Sequence, residues 1–482
     1  MMQIGYSKFI KNFFFIFGSL VCIYSCSSNN QSKENTLNSP NIILILADDQ
    51  GWNGTSVQMM HNEIGSKSDY FETPNLEKLA EKGMRFSDAY SSAPVCAPSR
   101  YSIQFGKTPA RLSLIRVGMN TDHIDHMGFI SIPKALKKIN IEYRAAHFGK
   151  WGMGSNPSVL GYDISDGPTK NRHGNFDNNK SQWQNVIKKD PKNIFSLTEK
   201  AIQFIDTCSE KKIPFFLQIS HYAVHSNIES KSKSYTHFKE KTKGNQHIDP
   251  GFAAMTFNLD ESLGILLKKI KDLELEDNTY IVYMSDNGSV PNIPGAKKYD
   301  KSYNYPLSRG KWDAFEGGIR VPLIVAGPGI KKGSESSIPV SGSDILPTLI
   351  DLAGNKKIEL SEIDGGSFAS VLFNENIKQI KREVEGIFFH VPYKNGIALK
   401  RPHSAVRKGD YKLIKFEDDK SILIFNLVKD KMEQLDVSNQ NPQKAKELEE
   451  ILDNYLKDVQ APRWKDGITW KNIPLEKINS KY

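Results

Sequence analysis

Two pairs of oxygen-bearing side chains follow apolar runs of the sequence. Asp48 and Asp49 come directly after NIILILA, and Asp286 and Asn287 come directly after YIVYMS. Carboxylate and amide oxygens are the ligands that hard divalent cations prefer, Ca²⁺ above all. Either pair alone is commoner as turn chemistry, because Asp-Asn-Gly is a frequent turn. Two such pairs, each at the end of a buried strand, predict a Ca²⁺ site.

A cysteine stands just ahead of a helix start in the stretch SSAPVCAPSRYSIQFGK. Pro98 is favoured in the first turn of a helix, so Cys96 is expected near the positive end of the helix dipole. That position suits a thiolate nucleophile. No neighbouring residue specifies the base and the orienting group of a cysteine hydrolase, however. Taken alone, Cys96 is more simply interpreted as a small buried residue at a loop–helix junction.

The four cysteines do not have the spacing of a thiolate metal site. Cys22 and Cys26 lie in the N-terminal segment. Export would permit Cys96 and Cys208 to form a disulfide, but a chain of 482 residues does not need one to fold. Cys208 lies in a helical pattern and is expected to be buried. Cys96 is therefore free for chemistry.

The N-terminus has the pattern of a targeting segment. Lys8 and Lys11 precede FFFIFGSLVCIY, an apolar run typical of a signal peptide and too short for a comfortable transmembrane helix. The ending IYSC resembles a bacterial lipobox in which Cys26 carries lipid, although Tyr24 is larger than usual there. Ordinary signal cleavage nearby is the alternative.

We therefore expect residues 1–25 to be a lipoprotein signal and residues 26–40 to be a polar tether. The mature protein would be an exported lipoprotein of the cell envelope, in the periplasm or at the outer membrane, and would touch the membrane only through its lipid anchor. Its formal net charge of +9 would attract anionic partners. No nucleic-acid motif or compact Lys/Arg run occurs, so a polyanionic carbohydrate fits the charge as well as nucleic acid does, and we expect no nucleic-acid partner. General solubility is the alternative explanation of the charge.

The rest of the chain alternates amphipathic helices with apolar strands, which predicts an α/β sandwich with a mainly parallel sheet. Lys150 follows a strand ending in HFG, and His221 and His225 follow FFLQIS. Sites in such folds lie at the carboxyl ends of the strands. These residues are therefore expected at the same sheet edge as the two acidic pairs.

The pattern changes after about residue 380. Short alternating segments with turns predict a small antiparallel sheet, and NPQKAKELEEILDNYLKDV predicts a C-terminal amphipathic helix. We expect a main domain over residues 41–380 and a smaller α+β subdomain over residues 381–482, packed on the first.

Cys-Ala-Pro-Ser-Arg resembles the C-x-P-S-R motif of type I sulfatases, arylsulfatase-like members of the alkaline phosphatase superfamily. Further segments resemble family motifs in the family order: NIILILADDQGWNG, HFGKWGMG, HYAVHS, YMSDNGS, LSRGKWDAFEGGIRVP and SAVRKGDYKLI. The resemblance spans nearly the whole mature chain. It implies that residues 41–380 form an alkaline-phosphatase-like catalytic domain.

In that family a separate formylglycine-generating enzyme oxidises the motif cysteine to Cα-formylglycine (3-oxoalanine). The aldehyde hydrates to a geminal diol, of which one hydroxyl attacks sulfur and the other later expels sulfate. The resemblance implies that Cys96 is the precursor. It also implies that Asp48, Asp49, Asp286 and Asn287 bind Ca²⁺ together with residue 96.

The resemblance further implies that Arg100, Lys150, His225 and Lys311 surround the sulfate group. Their charges would neutralise the ester and the charge that develops during S–O cleavage, usually the largest catalytic contribution. His225 or Lys311 would protonate the departing sugar oxygen. For the two lysines solubility is the alternative, which their Gly-Lys settings disfavour.

The sequence departs from the family pattern at Gly152, where a histidine associated with sulfate release is usual. His147, His221, another imidazole or water would have to serve instead, or the protein would be slow or inactive.

Other candidate residues have simpler explanations. His123, His126 and His173 lie in polar segments that could contact sugar or be ordinary loops. Trp151 and Trp312 fit core packing better than stacking on carbohydrate.

We expect a sulfatase acting on sulfated polysaccharide or its oligosaccharides, from algae (ulvan or carrageenan) or from host glycosaminoglycans. Two alternatives remain open: a phosphoester or phosphonate hydrolase of the same superfamily, and a non-catalytic lipoprotein that binds sulfated glycan. The sequence does not specify an oligomeric state.

Overall fold

In the computed structural model, the described part of the chain comprises residues 39–293, 302–354, 358–394 and 401–465. The expected signal segment, Cys26 and nearly all of the tether lie outside these residues. Among the helices of the described ranges, none combines the length and the apolar character needed to cross a membrane.

The centre of the fold is an eight-stranded sheet. Its strands, in spatial order, are β11 (Ser334–Ser336), β2 (Gly83–Phe86), β10 (Leu323–Ala326), β9 (Thr279–Ser285), β1 (Asn41–Ala47), β7 (Phe215–Ser220), β4 (Arg144–Gly149) and β5 (Ile164–Ser165). The pairs between β9 and β5 are all parallel, and β11 is parallel to β2. Only β10 runs antiparallel to its neighbours in this sheet. The predicted α/β fold with a mainly parallel sheet is confirmed.

Strand β1 shows why the sheet is buried on both faces. Every residue of Asn41–Ala47 is buried. Ile42 and Leu44 pack into one hydrophobic cluster, whereas Ile43 and Ile45 pack into another on the opposite face. This alternation follows from the two-residue repeat of a strand, and it places a helical layer on each side of the sheet.

The helices of the described chain are amphipathic or fully buried. They are α1 (Pro74–Lys82), α2 (Cys96–Phe105), α3 (Ile132–Ile139), α4 (Ile194–Glu210), α5 (Ser232–Glu240), α6 (Pro250–Asp272), α7 (Glu316–Ile319), α8 (Ile345–Leu352), α9 (Ala369–Phe373) and α10 (Pro442–Asp458). Helices α1, α4 and α6 pack on one face of the sheet, and α2, α3 and α8 pack on the other.

The segment near Met84–Ala89, expected as one strand, is divided into β2 and β3 (Ala89–Tyr90). The break lies at Ser87 and Asp88, because the Asp88 carboxylate turns to the guanidinium groups of Arg320 and Arg407. Strand β3 pairs instead with β12 (Val340–Ser341), and a further small pair joins β6 (Val186–Ile187) to β8 (Glu229–Ser230).

A separate antiparallel sheet lies in the C-terminal part of the chain, as predicted. Its strands are β13 (Ile387–Val391), β14 (His403–Lys408), β15 (Tyr411–Phe416) and β16 (Ile422–Asn426). One face, including Phe388 and Leu413, packs on α10 through residues such as Leu448. The other face, including Phe389 and Ile414, continues the main hydrophobic core. The sheet is therefore covered on both faces.

Candidate active site

The four central strands bring the predicted site residues to one edge of the sheet. Strands β9, β1, β7 and β4 are neighbours and run parallel. Their carboxyl ends therefore lie side by side, where Asp286, Asp48, His225 and Lys150 follow them. This is the edge at which open α/β sheets place their sites.

The acidic side chains and Cys96 converge there. One ligand atom from each of Asp48, Asp49, Cys96 and Asp286 lies within 4.8 Å of every other. Asp49 has a left-handed backbone (φ 62°), and its amide donates to Asp286 Oδ1 at 3.2 Å. This turn directs both carboxylates of the first pair toward the second pair.

Asn287 completes the cluster with an unused acceptor. Its Nδ2 donates to Asp49 Oδ1 at 2.8 Å and to the Gly288 carbonyl at 2.9 Å. Its Oδ1 is buried and has no hydrogen-bond partner among the described residues. A buried amide oxygen without a donor is costly, and beside three carboxylates it fits a hard divalent cation. The residues present therefore suit the metal that the sequence predicts.

Each carboxylate is paired with a buried cation. The closest distances in the three ion pairs are all 2.7 Å: Lys150–Asp48, Lys311–Asp49 and Arg100–Asp286. Burial disfavours the charged form of each of these side chains, but the attraction of the oppositely charged partner outweighs the effect of burial. The pKa values of Asp48 and Asp49 are therefore lowered, and those of Lys150, Lys311 and Arg100 are raised. We call these six residues together with Asn287 the strand-end cluster.

Cys96 is the first residue of α2, as its position before Pro98 predicts. Its sulfur lies 3.6 Å from Asp48 Oδ1, and the residue is 4% exposed. Burial raises the pKa of the thiol to about 12 despite the nearby lysines, which favours the protonated form over a thiolate nucleophile and agrees with the interpretation of Cys96 as a small buried residue at a loop–helix junction. The possible disulfide is also absent, because Cys96 and Cys208 are both free and buried.

His225 faces the same cluster from the loop after β7. Its Nε2 lies 3.7 Å from Asp49 Oδ2 and 3.3 Å from Asn171 Nδ2. Its Nδ1 lies 2.7 Å from the carbonyl oxygen of Ser226, so Nδ1 carries the proton. Burial lowers the pKa of His225 to about 4, even though Asp49 acts to raise it. The imidazole is neutral at pH 7, with an unprotonated Nε2 toward the site.

An open cavity of about 350 Å³ leads to Cys96, and Lys150 and Gly152 line it beside that residue. Gly152 has a left-handed backbone (φ 70°), and a Cβ atom there would lie 3.2 Å from Arg100 Cδ. A side chain at position 152 would therefore be strained, which accounts for glycine at the position where the resembling family has histidine.

Neither histidine considered as a replacement lines this cavity. His147 is fully buried, with its Nε2 3.1 Å from Ser220 Oγ and its ring against Trp151. His221 lies beside Ile45 in a small gap among core residues. The structure thus brings His225, but not His147 or His221, to the strand-end cluster.

The remaining candidates have local partners. Trp151 is buried in the hydrophobic cluster on one face of the sheet, and Trp312 is partly buried against the cluster on the other face. His123 contacts the Leu112 carbonyl, and His126 contacts the Tyr101 hydroxyl. His173 contacts the backbone of Lys170.

Three residues near the site carried no local sequence signal. Tyr101 and Asn171 line the cavity, and Asn171 also contacts His225. Lys192 is buried, with its Nζ 3.2 Å from the Ser226 carbonyl that His225 also contacts. Burial lowers the pKa of Lys192 to about 8, against the opposing effect of Glu229. In the sequence it is one lysine of the polar run KKDPKN.

Comparison with known proteins gives two overlapping family matches. The sulfatase family model matches residues 40–355. The model of the C-terminal region of N-sulphoglucosamine sulphohydrolase matches residues 310–462. The two models together cover nearly all of the described chain.

Similar proteins agree with these matches. A sulfatase of Formosa agariphila is 27% identical, covering 92% of this chain and 92% of its own. Mouse N-acetylgalactosamine-6-sulfatase is 30% identical over 68% of this chain and 65% of its own. An ulvan-active sulfatase of Formosa agariphila is 26% identical over 85% of this chain and 79% of its own.

Among solved structures, Ps i-CgsB in complex with k-i-k-neocarrahexaose superimposes with a TM-score of 0.73. The two sequences are 26% identical, and the match covers 92% of this chain and 97% of that chain. Fold, strand-end geometry and both family models thus lead to the same conclusion. This chain belongs to the sulfatase family and is a sulfuric ester hydrolase.

Proposed function

We propose that this protein removes sulfate from sulfated carbohydrates, using a formylglycine made from Cys96 and a Ca²⁺ ion bound at the strand ends. The observation that carries the proposal is the convergence of Cys96 with Asp48, Asp49 and Asp286 within 4.8 Å. Residues that are remote in sequence supply the metal ligands and the nucleophile precursor at one point.

Asp48, Asp49, Asp286 and Asn287 would hold the metal, with residue 96 beside it. A bound Ca²⁺ would lower the pKa of a hydroxyl on the modified residue and offset negative charge on the ester. The aldehyde would supply, as its hydrate, one hydroxyl for attack and a second for release of sulfate, which the thiol of an unmodified cysteine cannot do.

The charge balance of the site suits a sulfate monoester. The three carboxylates of the strand-end cluster are matched by three cations. A divalent cation would leave two positive charges in excess. A sulfate ester carries one negative charge and an ionised nucleophile carries another, so the loaded site would be neutral.

The side chains divide the remaining tasks. Lys150 and Lys311 each pair with a single carboxylate among the described residues, which leaves donor capacity for sulfate oxygens. Lys311 carries protons and can donate one to the departing sugar oxygen. His225 presents an unprotonated Nε2, so it is suited to accept a hydrogen bond at this stage. Of the two predicted proton donors we therefore favour Lys311.

Carbohydrate is the substrate class that the similar proteins support. The mouse relative is an N-acetylgalactosamine-6-sulfatase and a bacterial relative is ulvan-active. The structural neighbour was crystallised with k-i-k-neocarrahexaose. The net charge of +9 would also favour association with a polyanionic glycan.

The decisive test is mass spectrometry of the peptide containing residue 96, after co-expression with a formylglycine-generating enzyme. We expect the mass change for conversion of CH₂–SH to CHO, together with sulfate release that Cys96→Ala abolishes. Cys96→Ser should also be inactive in a host that modifies only cysteine.

Sulfate and phosphate esters of the same phenol and the same sugar should be compared in that experiment. Faster phosphate hydrolysis would favour the phosphoester hydrolase alternative. Glycan binding without release of sulfate by the converted protein would favour the non-catalytic alternative. Full turnover by Cys96→Ala would rule out the proposed nucleophile.

We also propose that the protein is an exported lipoprotein anchored through Cys26, on the basis of the basic residues, apolar run and IYSC ending of its N-terminus. Mass spectrometry of the mature N-terminus should find a lipid-modified Cys26, and Cys26→Ala should release the protein from the membrane fraction. An unmodified N-terminus at another residue would contradict the anchor.

A further inference from the structure

The wall of the cavity above Cys96 is positively charged. Arg116, Lys170 and Arg172 line it, in addition to Lys150 at its base. The described residues that line the cavity include no aspartate or glutamate. A sulfate ester alone does not account for this wall, because the strand-end cluster with a divalent ion bound would already balance the charge of the ester and its nucleophile.

The three outer cations are available for a ligand. Across the described ranges, no carboxylate lies within ion-pair distance of Arg116, Lys170 or Arg172. By contrast, Lys150 is 2.7 Å from Asp48. Arg116 is half-buried, and its guanidinium lies 5.2 Å from the centre of the Tyr393 ring. This contact limits the freedom of the arginine without neutralising it.

Backbone hydrogen bonds fix Lys170 and Arg172 relative to the catalytic residues. The Gly152 amide donates to the Thr169 carbonyl at 2.9 Å, and the Trp151 amide donates to Thr169 Oγ1 at 2.8 Å. These bonds hold the start of segment 169–174, which carries Lys170 and Arg172. The end of the segment packs closely on Tyr222, since a Cβ at Gly174 would lie 2.2 Å from the Tyr222 ring. The segment is therefore held at both ends beside Lys150.

We propose that Arg116, Lys170 and Arg172 bind a second anionic substituent of the carbohydrate, a sulfate or a carboxylate beyond the sulfate being removed. This inference rests on the proposed function and specifies its substrate as a glycan with at least two negative charges. Leu114, Met119 and Met153 supply an apolar part of the same wall, suited to the C–H faces of a sugar ring. The cavity volume is at the lower end of small-molecule sites, which favours a short stretch of glycan.

The test uses the full-length protein, matured by co-expression, and three disaccharides that carry the same scissile sulfate. The neighbouring sugar is neutral in the first, carries a carboxylate in the second and carries another sulfate in the third. We expect kcat/KM to be about tenfold higher or more for at least one charged disaccharide, since a charge-assisted hydrogen bond has that effect. Preference for the second or the third identifies the anion.

Arg116→Gln, Lys170→Gln and Arg172→Gln, singly and combined, should reduce this preference, mainly through KM. The combined variant should bring the ratio of kcat/KM values close to one. Lys457→Gln is the matched control, because it removes an exposed charge from the C-terminal helix and should keep the wild-type ratio. Raising the ionic strength should also reduce the preference.

Calorimetry of the same disaccharides binding to Cys96→Ala gives the ratio of affinities for the charged and neutral disaccharides without turnover. This measurement separates the second-anion site from the proposed sulfatase function. Sulfate release with equal or better use of the neutral disaccharide would overturn the second-anion site while the sulfatase function stands. Absence of release from all three would overturn the proposed function, and the binding ratio would then decide the second-anion site alone. A wild-type ratio retained by the combined variant would also overturn it.

Discussion

Two buried clusters in this molecule contain the same numbers of carboxylates and cations but differ in how their polar atoms are bonded and in whether they border a cavity. The strand-end cluster contains three carboxylates and three cations. A second cluster, which we call the C-terminal ion network, also has three of each: Asp88, Glu316, Glu433, Arg320, Arg407 and Lys412. It joins β14 and β15 of the C-terminal sheet to residues next to β3 and in α7.

In the C-terminal ion network every carboxylate oxygen accepts a hydrogen bond or takes part in an ion pair. Lys412 lies 3.0 Å from Glu316 and 2.8 Å from Glu433. The second oxygen of Glu433 accepts from the Glu316 amide at 2.8 Å. Arg320 and Arg407 share the Asp88 carboxylate. No acceptor in this network is left for a ligand.

The strand-end cluster differs in two respects. Asn287 Oδ1 has no partner within the described chain, and Lys150 and Cys96 border a cavity. Buried charge alone therefore does not identify a functional site, because the C-terminal ion network has as much of it. An unused acceptor next to an open cavity is what separates a binding site from a structural network.

Lys412→Met should have the largest effect on folding. It leaves Glu316 and Glu433 buried without their shared cation, a change that typically costs about 3–5 kcal/mol. Urea unfolding should show this loss, with activity retained in the folded fraction. Lys408→Met is the matched control, because its partly exposed ion pairs should contribute about 1 kcal/mol or less. Equal losses of unfolding free energy for the two variants would show that the buried ion pairs of the network stabilise the fold no more than the partly exposed pairs of Lys408.

Lys311→Met should act mainly on turnover. Loss of one positioned donor typically lowers kcat about 10²–10³-fold, measured as sulfate release. Its effect on stability should be smaller in calcium than in a chelator, because the proposed ion would supply positive charge beside Asp49. We expect Lys412→Met to lose the same stability in calcium and in a chelator. The same result for Lys311→Met would show that the strand-end cluster, like the C-terminal ion network, gains no stability from calcium.

Calcium should stabilise the protein through the strand-end cluster. At about one hundred times Kd the gain is about 2.7 kcal/mol, measurable by chemical unfolding with and without a chelator. Asn287→Leu should reduce the gain because it removes the free amide oxygen. Lys412→Met, lying in the other cluster, should show the full gain. An undiminished gain in Asn287→Leu would show that the ion binds elsewhere.

The acid sensitivity of the C-terminal ion network is the smallest effect. Burial acts to raise the pKa of Asp88, but Arg320 and Arg407 outweigh it and lower that pKa from 3.8 to about 2. The carboxylate therefore stabilises the fold fully above pH 3.8, and this contribution of about 2 kcal/mol disappears as the pH falls through 2. Asp88→Asn should flatten the loss of stability between pH 4 and pH 2. An unchanged slope in urea unfolding would contradict this assignment.

Features governed by local pattern could be predicted from the sequence. Strand β1 is continuous and apolar, so its bounds and the position of Asp48 and Asp49 follow directly. Pro98 indicated the start of α2 next to Cys96. The convergence of the four strand ends followed from the parallel sheet, although the roles of the individual side chains remain proposals.

Contacts between distant segments could not be predicted in this way. Lys412 lies in GDYKLIKF, where alternation suggests an ordinary polar face, yet its carboxylate partner Glu316 is 96 residues away. Arg116 and Asn171 sit in irregular segments without periodicity. The raised pKa of the Cys96 thiol does not follow from its position at a helix start, because burial in the folded chain outweighs the helix end and the neighbouring cations.

The burial of Cys96 has a consequence for how the enzyme is produced. In the native state residues 96–100 form a helical turn in which all but Ala97 are buried, so a modifying enzyme cannot take hold of them as an extended peptide. If Cys96 is the formylglycine precursor, as we propose, its oxidation must precede folding during synthesis or export. A molecule that folds first would remain inert, and adding the modifying enzyme later would not rescue it without prior denaturation.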